Sequence, residues 1–124
     1  MRYMMFIKHR EDFDLTKVPQ SLFGAMDKFI AESAKEGVFI DGAGLQPSKA
    51  GHKVRLSKGK ITTTDGPFAE SKEIVGGYSI MECRDDAHAL KCAQDFMELH
   101  RVHWPDFEGE CEVRPFESGP PTSQ

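Results

Sequence analysis

From Arg2 to Lys8 the chain is apolar on both alternations, with Tyr3, Met5 and Ile7 on one and Met4 and Phe6 on the other. That pattern predicts a strand that has to be covered on both faces. From Pro19 to Glu36 the spacing changes to a helical one. Leu22, Met26, Phe29 and Ser33 form a stripe flanked by Ala25 and Ile30, with Asp27, Lys28, Glu32 and Lys35 lying away from it. Pro19 suits the first helical position, and Gly37 the C-terminal cap. Val38 to Asp41 reads as a short strand, which Gly42, Gly44 and Pro47 break into a loop.

Residues 52–64 predict a β-hairpin turning at Lys58-Gly59, with one face polar enough for solvent. Asp65-Gly66-Pro67-Phe68 signals a turn, and Val75 to Cys83 a strand. Asp85 and Asp86 are N-cap candidates for a second helix over roughly 86–100, whose apolar face would be Leu90, Ala93, Phe96 and Met97. A loop with Trp104 and Pro105 leads to a last strand, Glu110 to Phe116. The order is β-α-β-hairpin-β-α-β, which predicts an α+β, ferredoxin-like domain over residues 1–117 and a disordered tail over 118–124. Two helices cover one face of such a sheet, so the doubly apolar first strand predicts a second copy of the chain on the other.

Composition narrows the classes. A length of 124 residues suits one domain. The formal net charge of −4 argues against a nucleic-acid surface. No apolar run approaches the ~20 residues that span a bilayer. Cys83, Cys92 and Cys111 are scattered and odd in number, which is cytoplasmic usage; each is expected to be a small buried hydrophobe. His100 and His103 share a helical face without a third ligand nearby in sequence, so neither metal nor other cofactor is expected. These two histidines are expected at a solvated helix end, where the dipole favours them.

The densest chemistry runs from Thr64 to Glu73 and on to Gly76-Gly77-Tyr78. Asp65 ends a strand beside Glu70, Lys72 and Glu73. It either satisfies its own turn or projects into a cleft as a general base. His9 ends the first strand and is a candidate for the same cleft; His52 is expected at the hairpin, and His88 facing solvent. On the last strand Glu110, Glu112 and Arg114 share one face and Cys111 and Val113 the other. The ligand-binding candidates are Gly44, Leu45, Gly66, Pro67, Phe68, Tyr78 and Arg114, around Asp65.

Taken together, Gly42-Ala43-Gly44-Leu45-Gln46-Pro47, the Asp65 to Glu73 run, Gly76-Gly77-Tyr78 and Glu112-Val113-Arg114-Pro115 closely resemble the DGPF-motif branch of the YCII-related proteins. His100-Arg101-Val102-His103-Trp104-Pro105 resembles a subgroup feature. The resemblance implies a dimeric α+β barrel and no agreed activity. Some YCII-related proteins are thought to be enzymes using a His–Asp pair, whose helix histidine falls here at Met26. DGPF relatives often accompany extracytoplasmic-function sigma factors. Two functions follow as expectations. One is a cytoplasmic homodimer binding a small molecule near Asp65 in a regulatory or stress setting with a sigma factor. The other is an isomerase, lyase or dehydrochlorinase with Asp65 as base.

Overall fold

In the computed structural model, which describes residues 1–10, 13–68 and 73–117, six strands and two α-helices follow one another, besides two short 3-10 turns. They are β1 (Arg2–His9), α1 (Gln20–Lys35), β2 (Phe39–Gly44), β3 (His52–Ser57), β4 (Lys60–Asp65), β5 (Ile74–Glu82), α2 (Asp86–His103) and β6 (Gly109–Pro115). The expected disordered tail and residues 69–72, with Glu70 and Lys72, lie outside the described residues.

The helices start and stop for local reasons. α1 ends in Gly37 at φ +78, with Gly37 N–H donating to the Ala34 carbonyl and Val38 N–H to that of Ser33. This paired closure needs a left-handed residue, which glycine adopts without penalty. α2 begins at Asp85, whose carboxylate accepts from the His88 N–H at 2.8 Å. It runs on through His103 rather than stopping near 100, with His100, Arg101 and His103 in its last turn. Ala93 is buried as expected, but Leu90, also expected on the packed face, is 54% exposed, and Ala89 is buried in its place.

The four-stranded sheet has the order β2-β5-β1-β6, and all of its pairings are antiparallel. With two helices on one face, this is an α+β arrangement compatible with a ferredoxin-like fold. β1 lies between β5 and β6 and carries apolar side chains on both faces. Tyr3 and Met5 join Met81, Cys83, Ala89 and Ala93 in the core beneath the helices, with Cys111 and Val113 packed against it. The opposite face carries Met4 beside Ile80 and Phe6 beside Tyr78, bordered by Arg114 and Glu112 of β6. Neither helix covers it.

β2 extends further than expected, through Gly42 and Gly44, which pair with Ser79 and Gly77. The hairpin β3–β4 is a separate two-stranded sheet. Lys58 at φ +52 and Gly59 at φ +76 form its two-residue turn. Two left-handed residues in succession match the twist of the flanking strands. Every hairpin residue is exposed, so it has two solvent faces rather than the one expected.

Candidate functional site

The helix-facing positions of β1 end in a polar residue. After Tyr3, Met5 and Ile7 the same alternation brings His9 to the helix side, and its residue is only 3% exposed. His9 Nδ1 lies 2.8 Å from the Arg10 carbonyl oxygen. A carbonyl can only accept, so this contact assigns a proton to Nδ1, and in the neutral ring Nε2 is then a lone-pair acceptor. That Nε2 is buried with no hydrogen-bond partner among the described residues. Buried polar atoms are almost always paired, so an exception calls for a physical account.

The neighbouring strand is built around this ring. Ile7 pairs with Gly77 and Lys8 with Val75, which leaves Gly76 as the extra residue of a β-bulge. A Cβ on Gly76 would lie 2.6 Å from His9 Cδ2 and 2.7 Å from Nε2. Only glycine leaves room for the imidazole there.

His9 borders a cavity of about 380 Å³ between the two helices and the sheet. The sheet contributes Met5, Ile7 and Cys111, α1 contributes Leu22, Met26 and Phe29, and α2 contributes Phe96 and His100. Trp104 and Phe107 complete the end after α2. They form an aromatic cluster with Phe13, with ring centroids 5.2–5.5 Å apart. The His100 ring lies 4.9 Å from Phe107 and 5.1 Å from Phe96.

His100 is 7% exposed, so the expected solvated helix end is corrected. It follows Phe96 by one helical turn and Ala93 by two, on the stripe that packs inward. Its Nδ1 lies 3.0 Å from the Phe96 carbonyl oxygen, which again assigns the proton to Nδ1 and the lone pair to Nε2. Burial lowers its pKa below the usual 6.5, opposed by the Phe96 carbonyl. His100 is therefore neutral at neutral pH. The thiol of Cys111 is pushed up to about 11 by burial and stays protonated, so it supplies no thiolate nucleophile. The described lining contains no lysine or arginine. Chemically, the cavity accepts hydrogen bonds or a proton at imidazole nitrogen within apolar walls. Among the described residues no group of three or more His, Cys, Asp or Glu side chains is placed to hold a metal ion.

The residues singled out from sequence are spread over several places. Gly44 borders the helix–sheet cavity, whereas Tyr78 stands beside Phe6 on the open sheet face with its hydroxyl 3.5 Å from Asp41 Oδ2. Leu45 and Phe68 border a second, shallower hollow of about 660 Å³ with Pro47 and Val75. Asp65 does end a strand, but its side chain is 79% exposed and lies 2.7 Å from His52 Nδ1 across the base of the hairpin. It borders neither hollow, and His9 faces a different space. Gly66 abuts the Ser48 backbone so closely that a Cβ would collide with its carbonyl oxygen. Pro67 follows it through a cis peptide bond. Arg114 is on the open sheet face, 3.8 Å from Glu112, whose other oxygen is 2.6 Å from Lys8 Nζ. The Lys8 ammonium holds the Glu112 carboxyl below its usual range. His88 serves its own helix start, its Nδ1 accepting from the Arg84 N–H.

A family profile, the YCII-related domain, matches residues 1–98. The chain belongs to the YCII-related family. It is also 32% identical over 99 residues, 80% of this chain and 73% of the other, to an uncharacterized protein of Rhizobium meliloti (strain 1021). His9, Met26 and Gly76 fall inside the segment matching the YCII-related profile; His100, Trp104, Phe107 and Cys111 fall beyond it. The YCII-related core thus supplies one imidazole and its bulge, and the following segment closes the aromatic end.

The lowered pKa of His100 has a consequence for stability. The unfolded chain takes up its proton near pH 6.5, before the folded protein does. Folding stability therefore falls as pH drops through about 6.5, and this component is fully lost below the folded pKa. Urea unfolding between pH 7.5 and 5.5 should show a steeper acid loss for the natural chain than for His100→Gln. Equal slopes would place His100 in solvent.

Proposed function

We propose that this chain is a homodimeric small-molecule-binding protein whose ligand sits in the helix–sheet cavity. The observation that carries this reading is His9 Nε2, a buried acceptor without a partner among the described residues, on a cavity of about 380 Å³. Ligand sites are typically concave and mainly apolar, with a few placed polar groups, and about 300–1,000 Å³ in size. Asp65, exposed and held by His52, has no part in this reading. Asp65-Gly66-Pro67-Phe68, together with the glycine-rich segments, is the basis for placing the chain in the DGPF branch. A cytoplasmic regulatory setting beside a sigma factor is the context that this branch suggests.

The cavity is tested with toluene, an apolar ring of suitable size, followed through the methyl resonances of Met5, Ile7 and Met26. Toluene should shift all three, and Met26→Trp, which fills the space, should abolish the shifts of Met5 and Ile7 while leaving the fold intact. Absence of any shift in the natural chain contradicts the reading.

The second copy is placed on the open sheet face, where Met4, Phe6, Tyr78 and Ile80 form an apolar strip that neither helix covers. A stable interface there would bury upwards of ~1,200 Å² in total. Light scattering at micromolar concentration should give a dimer, and Phe6→Asp with Ile80→Asp should give a folded monomer. A monomeric natural chain sinks the dimer.

A further inference from the structure

The geometry points to the class of ligand: an uncharged, compact, apolar molecule that donates one hydrogen bond, from an O–H or N–H, to Nε2 of His9. This rests on the reading that the helix–sheet cavity is the binding site.

Four observations converge on it. The first is the tautomer. The Arg10 carbonyl takes the Nδ1 proton of His9, so the nitrogen left without a partner is an acceptor, and its complement is a donor. The second is charge. The described lining holds no lysine or arginine to neutralise an anion, and Asp27 at its border would repel one. A cation would give up its hydration with exposed Asp27 as its only carboxylate in that lining. The third is the second imidazole. His100 carries its proton on Nδ1 toward Phe96, so it too presents an acceptor nitrogen rather than a positive charge. The fourth is shape. Leu22, Met26, Phe29, Phe96, Trp104 and Phe107 give apolar walls, and about 380 Å³ holds one small ring compound.

The placement of His9 is specific. The bulge at Gly76 removes the one Cβ that would strike the ring, so the strand pairing departs from regularity where the imidazole needs space. A ligand donor at Nε2 pairs an atom that is otherwise buried and unsatisfied. A ligand of the same shape without the donor leaves it unsatisfied, and sites of this kind discriminate strongly against such analogues.

Phenol and toluene are near-isosteres that differ in the donor, and they test the inference together. Calorimetry or NMR titration gives the affinity of each for the natural chain and for His9→Leu. The ratio of phenol to toluene affinity should fall at least about tenfold on going from the natural chain to His9→Leu, because comparing ratios cancels the different costs of leaving water. In the natural chain, phenol but not toluene should shift the Nε2 nitrogen resonance of His9, a readout that needs no variant. Benzoate and benzylammonium should bind at least about tenfold more weakly than phenol.

The failures separate cleanly. Toluene binding with an unchanged affinity ratio and an unmoved Nε2 resonance overturns the donor class and leaves the cavity reading standing. Tighter binding of benzoate or benzylammonium than of phenol overturns the uncharged class. Binding of none of the four probes overturns both the class and the cavity.

Discussion

The structure depends on one constraint: β1 lies inside the sheet and is apolar on both sides. Antiparallel partners flank it, β5 on one edge and β6 on the other, so its backbone groups are paired and its side chains need cover above and below. The helices supply that cover on the side of Tyr3 and Met5. Tyr3 extends this layer to its edge, where its hydroxyl donates to Asp86 at 2.6 Å at the start of α2. On the other side Met4 and Phe6 face the strip on which we place the second copy.

The same alternation that builds the core also creates the site. Four helix-facing positions in a row are Tyr3, Met5, Ile7 and His9, and packing loosens toward the last of them. At Tyr3 the covering residues are small, Ala89 and Ala93, and the layers close tightly, while Met5, though in the same core, already borders the cavity. Toward His9 they are long side chains, Leu22, Met26 and Phe29 of α1 and Phe96 and His100 of α2, which meet around empty space. An imidazole tolerates that position because it can stay neutral and tie one nitrogen to its own backbone. A lysine or carboxylate would leave a charge in apolar surroundings, at a far greater penalty.

Much of the fold was legible in the sequence. The double apolar alternation of residues 2–8, the stripe of residues 22–33 and the Asp85 cap each act through local physics and appear where expected. The site was less legible, for reasons that particular residues show. His100 follows Phe96 and Ala93 on the packed stripe, a signal present in the spacing but weighed against the attraction of histidine to helix ends. His9 shares the parity of Tyr3, Met5 and Ile7, which put it on the covered face. Which carboxylate or cavity it would meet depended on tertiary packing that no local pattern encodes. Gly76 stood out in the sequence only as part of the Gly76-Gly77-Tyr78 run, whereas its role is to face His9 across a bulge. Asp65 lay in the densest motif, but its partner is His52, thirteen residues back and directly opposite in the hairpin register.

The account turns on the state of one atom, His9 Nε2, in the protein without ligand. Nitrogen chemical shifts of the His9 ring at neutral pH, with ring protons used to assign the two nitrogens, report it directly. The account predicts a neutral imidazole protonated at Nδ1, with Nε2 bare and its resonance movable by a hydrogen-bond donor in the cavity. A proton on Nε2, whether in the other tautomer or in a charged ring, would contradict it.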